Sequence, residues 1–146
     1  MDTRQVLDPE EIEEIREQFF EAAKLGKRVM LDKILKSEAL GSEGINNRDE
    51  TTEEEYTALH YAVKEGRIKT VDFLILRGSD RNAQTSTRLE SPLHIACRQA
   101  LKQIMTILLS RGANPNIQDW KGQTPFHVLV QKIDNKDMIS TYLDHA

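Results

Sequence analysis

Apolar residues recur along the chain as a doublet, a two-residue gap and a second doublet. The sets are Met30, Leu31, Ile34 and Leu35; Val71, Leu74 and Ile75 behind Thr70; Ile104, Met105, Leu108 and Leu109; and Met138, Ile139, Tyr142 and Leu143. Positions i, i+1, i+4 and i+5 share one face of a helix, so each set predicts a helix with one buried stripe. The last three sets are 34 residues apart, and the first begins 40 before the second. A second phrase keeps step with them: Leu59-His60-Tyr61-Ala62, Leu93-His94-Ile95-Ala96 and Phe126-His127-Val128-Leu129, spaced by 34 and 33 residues. Each phrase opens on a hydroxyl (Thr57, Ser91, Thr124), and Pro92 and Pro125 follow two of these. An oxygen that accepts from orphan amides, then a ring that needs no amide hydrogen, marks a helix start. Gly78 and Gly112 sit where the second helix of a unit would end in a left-handed turn. The chain therefore reads as repeated pairs of helices.

The phrase from Ser91 to Ala96 is close to the T-P-L-H-x-A signature of ankyrin repeats, whose period is 33 residues. With the Gly-Ala-Asn-Pro-Asn run at 112–116, it makes the chain resemble the ankyrin repeat family. The resemblance implies an all-α solenoid of helix-turn-helix units joined by finger loops, one domain over 1–146. Well-marked repeats are expected at 56–82, 90–116 and 123–146, linked by turns at 83–89 and 117–122. Upstream, Asp8-Pro9-Glu10-Glu11 reads as N-cap, first-turn proline and capping-box glutamate, followed by Ile12, Ile15, Phe19 and Ala22 on one face. Aligning Ala22 and Gly26 with Ala62 and Gly66 makes 8–40 an N-terminal helix and degenerate capping repeat, with Phe20 in the histidine's place. Glu10, Glu13, Glu14 and Glu17 would solvate the open end of the stack. The stretch 41–55 has turn residues and charge without helical period, and is expected as a long acidic loop. The fourth repeat departs from the pattern at Leu129, where alanine is expected, and at Ala146, where glycine is expected. It is one residue short before its histidine and regains that residue within 132–137. Either a natural cap or a continuing stack is compatible with that ending.

Composition narrows the class. With 146 residues, 38% hydrophobic and 30% charged, the chain is ordinary for a globular domain. No stretch approaches the roughly 18 apolar residues of a membrane span, and the first residues lack a signal peptide's apolar segment. A cytoplasmic location is expected, with the nucleus as the alternative. The lone Cys97 forms no internal disulfide and reads as core filler. Residues 1–55 carry 16 acidic and 8 basic side chains, whereas 56–146 carry 8 and 12. That asymmetry could steer a bipolar partner, and exposed helix faces also produce it. The basic surplus is small and scattered and aromatic residues are few, which argues against nucleic-acid binding.

Chemistry is not indicated. His60, His94 and His127 are repeat-equivalent, hence spread along the stack, whereas metal ligands must converge within about 2.0 to 2.3 Å of one ion. The resemblance instead implies that each histidine bonds its helix-start hydroxyl (Thr57, Ser91, Thr124) and neighbouring loop backbone. No nucleophile-base pattern, phosphate loop, zincin pair or cysteine cluster is present. No enzyme activity, cofactor, metal, membrane or small-molecule substrate is expected.

Surface remains. The resemblance implies that finger tips and the exposed side of the first helices bind another protein. The positions are Glu53, Glu54, Tyr56, Lys64 and Glu65; Thr87, Arg88, Glu90, Arg98 and Gln99; and Trp120, Lys121, Gln123, Gln131 and Lys132. Trp120, the sole tryptophan, is the sharpest, because Trp, Tyr and Arg are typical interface anchors; it either binds a partner or packs over a neighbouring finger. The function expected is an adaptor, regulatory subunit or stoichiometric inhibitor, with a targeting or structural fragment of a larger protein as the alternative. The Asp-Ser-Gly degradation signal of cellular IκB proteins is absent.

Overall fold

The computed structural model describes residues 6–132 and 136–146. The compensating residues at 133–135, the first five residues and the side chain of Lys132 lie outside this description. Among the described residues eight α-helices form four pairs: α1 (Pro9–Leu25) with α2 (Arg28–Ser37), α3 (Ala58–Lys64) with α4 (Ile68–Leu76), α5 (Pro92–Arg98) with α6 (Lys102–Ser110), and α7 (Pro125–Lys132) with α8 (Lys136–His145). The inner helices α1, α3, α5 and α7 stack in order, and α4, α6 and α8 form the outer row. The fold is an all-α solenoid.

Caps set each inner helix. Asp8 and Glu11 form a reciprocal capping box at the start of α1. In α3 and α5 the same device is built with histidine at the third position, Thr57 with His60 and Ser91 with His94. Left-handed residues then mark the turns, and several are not glycine. Gly26 (φ +74°), Gly66 (+70°) and Ala100 (+57°) turn inner into outer helix; Glu38 (+55°), Gly78 (+96°) and Gly112 (+85°) follow the outer helix. Ala100 therefore holds a conformation that costs a residue with a Cβ roughly 1 to 2 kcal/mol.

The outer-helix stripes show which neighbour covers what. Thr70, Val71, Leu74 and Ile75 are all buried, as are Ile104, Met105, Leu108 and Leu109. At the two ends only half of each stripe is covered. Leu31 and Ile34 are buried while Met30 is 41% exposed; Met138 and Tyr142 are buried while Leu143 is 60% exposed, and Leu35 and Ile139 are half-buried. The leading position thus faces the preceding unit and the trailing position faces the following one. Periodicity names the inward face, and a neighbour must still be there to close it. On the outside, Arg77 pairs with Asp32, and Arg111 with Asp72 at 3.1 Å, each arginine reaching back to the preceding unit.

The stretch 41–55 is more ordered than its composition suggests. Gly44–Asn46 forms a 3-10 turn that buries Ile45. Asp49 is buried too, accepting from the Tyr61 hydroxyl and from the Thr51 amide at 3.1 Å. Burial works to raise its pKa, but these hydrogen bonds prevail and hold the carboxyl below the usual range. Phe20, where the histidine would be, is buried against Tyr61 with ring centroids 5.8 Å apart.

Candidate protein-binding face

Three finger loops project beside the inner helices, each closed by one backbone bond: Asp49 N–H to the Tyr56 carbonyl, Thr85 to Glu90 and Asp119 to Gln123, at 2.9 to 3.0 Å. The fingers are tied together. Ser86 N–H donates to the Glu54 carbonyl at 2.9 Å, and Trp120 N–H to the Arg88 carbonyl at 3.0 Å. Side chains add rungs: the Arg48 guanidinium donates to the Gln84 carbonyl, and the Gln84 amide to the Gln118 carbonyl, both at 2.9 Å.

The histidines brace this array. Thr57 N–H donates to His60 Nδ1 at 3.0 Å, so the ring proton lies on Nε2, which donates to the Ala83 carbonyl of the next finger at 2.8 Å. His94 repeats the arrangement, with Ser91 N–H at 3.1 Å and the Gln123 carbonyl at 2.8 Å. Burial disfavours the imidazolium in both, lowering His60 to about 4 and lowering His94 in the same direction. His127 keeps the contact with Thr124 N–H at 3.1 Å but is exposed. Among the described residues no three His, Cys, Asp or Glu side chains converge as a metal site. Cys97 is buried and its thiol is pushed up to about 12 by that burial, which leaves it unreactive.

The surface residues named from the sequence converge in part. Arg88, Glu90, Arg98, Trp120, Lys121, Gln123 and Gln131 line one groove between the second and third fingers, with Asp119 and Val128. Trp120 is 60% exposed: its backbone is bonded to the preceding finger while its ring faces solvent, with the Lys121 ammonium 5.1 Å from the ring centroid. Gln99 and Lys64 are exposed on the same inner-helix side.

Two of the expected surface positions, the anchor Tyr56 and the candidate Glu90, lie deeper than expected. Tyr56 is half-buried, its ring 5.1 Å from that of Tyr61 and 6.1 Å from that of His60, and burial together with Glu54 and Glu90 raises its pKa. Glu90 is buried and holds Arg98 at 3.0 Å and Arg88 at 3.8 Å, so it orients cations rather than meeting solvent. Glu54 is half-buried and accepts from Arg88 N–H at 3.2 Å. Arg48 and Gln84, which order the fingers, were not singled out by sequence reasoning; the recurrence of Gln84 at Gln118 was the available signal. A larger concavity of about 500 Å³ lies between α1 and the first finger, lined by Phe20, Lys24 and Asp49 among others. Two of its polar groups serve Tyr61, Asp49 accepting from the hydroxyl and Lys24 lying 4.5 Å above the ring.

A stacked series of helix pairs with histidine-braced fingers defines a repeat solenoid. The ankyrin repeat model matches residues 54–86 and 88–120, and the chain belongs to the ankyrin repeat family. Human rabankyrin-5 is 37% identical over 86 residues, 51% of this chain and 7% of that protein. Human BCL-6 corepressor-like protein 1 is 33% identical over 127 residues, 85% of this chain and 6% of that protein. Palmitoyltransferase AKR1 of Kluyveromyces lactis is 29% identical over 116 residues, 80% of this chain and 15% of that protein. The chain thus spans less than a tenth of rabankyrin-5. Ankyrin repeats are in general protein-interaction modules and typically non-catalytic. Among the described residues no helix is long and apolar enough to cross a membrane.

Proposed function

We propose that the chain is a non-catalytic protein-binding stack, acting as an adaptor, regulatory subunit or stoichiometric inhibitor by occluding its partner's surface. The observation that carries this reading is Trp120, a large apolar ring 60% exposed on a backbone held by a finger-to-finger hydrogen bond. A rigid aromatic loses little conformational entropy on binding and supplies much contact area. The buried Glu90 holds Arg98, and Arg88 beside it, around the same groove, giving the anchor a polar rim. Affinity capture from a cell extract with the parent and Trp120→Ala side by side tests it. A protein retained by the parent and lost by the variant supports the reading; a capture profile identical for both overturns it.

A further inference from the structure

Around the groove between the second and third fingers, acids and bases are not treated alike. Every carboxylate there has a partner within the chain. Asp119 accepts from the Lys121 and Gln123 amides at 2.9 Å each, Glu90 holds Arg98 at 3.0 Å, and Glu54 takes the Arg88 amide. The cations are left with capacity. Lys121 makes no ion pair among the described residues, its ammonium lying only over the Trp120 ring. The Arg88 side chain is 56% exposed and 3.8 Å from both Glu54 and Glu90, too far for a hydrogen bond. Arg98 spends one N–H on Glu90 and has a guanidinium with about five to offer. Between these cations lie the Trp120 ring, the half-buried Val128 and the neutral amides of Gln123 and Gln131.

We infer that this groove recognises a protein segment in which an acidic side chain adjoins an aromatic or aliphatic one. The carboxylate meets the Lys121, Arg88 and Arg98 cluster, and the apolar neighbour covers Trp120. This rests on the face proposed above and adds the chemistry of what it binds. A guanidinium with free N–H groups favours a planar carboxylate, and a cation already over an indole gains from an anion brought to the same spot. A basic segment would meet three positive groups with only Asp119, already accepting two backbone amides, to answer them, and like-charge juxtaposition is a strong discriminator. One exposed aromatic ring offers little to the stacked bases of a nucleic acid.

The test is a displayed library of random twelve-residue peptides selected on the whole chain. The selected peptides are then measured on Lys121→Glu, Arg88→Gln and Trp120→Ala, which leave the Arg98–Glu90 pair untouched. Urea midpoints equal to the parent's confirm that each variant is folded. Enrichment of Asp or Glu beside an aromatic or aliphatic residue is expected. A representative synthetic peptide should change the emission of the sole tryptophan and bind more weakly as sodium chloride rises. It should lose at least about tenfold in affinity on Lys121→Glu, because like-charge contact costs more than the ~1.4 kcal/mol a factor of ten represents. Peptides that lose affinity on Trp120→Ala but are uncharged or basic overturn the acidic assignment and leave the face standing. Peptides that bind all variants equally sink the face as well, and an empty selection, or displacement of the peptide by a single-stranded oligonucleotide in preference to its own unlabelled copy, overturns the inference.

Discussion

Lowering pH should loosen the stack well before its carboxylates titrate, because His60 is buried as a neutral ring. Nδ1 accepts from Thr57 N–H and Nε2 donates to the Ala83 carbonyl, so a second ring proton would have to displace an amide donor in a dry site. The folded pKa of about 4 lies below the ordinary 6.5. The unfolded chain therefore binds a proton that the folded chain refuses. The stability this confers is complete above pH ~6.5 and is lost as pH falls toward about 4. At 1.36 kcal/mol per unit, the loss is about 3 kcal/mol, with His94 adding in the same direction. Asp49, whose pKa is lowered, loses its support only below the ordinary carboxyl range and does not confuse the window. Urea unfolding followed by far-ultraviolet dichroism at pH 7.5, 6.5, 5.5 and 4.5 reads this directly. With a slope of about 1 to 3 kcal/mol per molar urea, the midpoint should fall by roughly 1 to 3 M. His60→Ala should start lower and fall less steeply. A parent midpoint unchanged between pH 7.5 and 4.5 refutes the argument, as does a His60→Ala slope equal to the parent's.

Leu108→Ala empties a fully buried site in α6 and should cost about 2 to 5 kcal/mol in a denaturation curve; a loss under about 0.5 kcal/mol would show that the outer-helix register is wrong. Leu143→Ala, at a trailing position left exposed, should change stability by no more than about 0.5 kcal/mol. Ala100→Gly relieves a left-handed residue where Gly26 and Gly66 stand in other units, and should raise the urea midpoint by the equivalent of roughly 1 kcal/mol; an unchanged or lower midpoint contradicts it. Trp120→Ala should weaken partner binding by about 2 kcal/mol while moving the urea midpoint by less than about 0.5 kcal/mol. If Lys69→Ala on the outer helix weakens binding and Trp120→Ala does not, the partner uses the opposite face.

Much of the architecture was written in local patterns. The Asp8, Thr57 and Ser91 caps and the histidine at each helix start are interactions within three residues, which a single sequence displays. The groove was legible as positions because ankyrin units place equivalent residues in equivalent places. What was not legible depends on contacts across units. The bond from Arg48 to the Gln84 carbonyl spans 36 residues and ends on backbone, which leaves no side-chain signature at the acceptor. Tyr56 and Glu90 were placed on the surface by their positions in the repeat, yet Tyr61 and Arg98 draw them inward. Glu38, Glu55, Leu89 and Ala100 adopt left-handed backbone without glycine, so turn chemistry could not be read from composition there. The half-open stripes at Met30 and Leu143 follow from the absence of a covering neighbour among the described helices, which periodicity does not encode.

The repetition of junction chemistry has an evolutionary consequence. Asn46 accepts from the Asp80 amide at 2.7 Å and Asn82 from the Asn114 amide at 2.8 Å; Asp32 meets Arg77 as Asp72 meets Arg111. The first two boundaries thus present nearly the same donors and acceptors to the unit that adjoins them. A gene segment duplicated or deleted between equivalent points leaves two junctions that already know how to mate, so such a protein can change length in one genetic step without inventing a new interface.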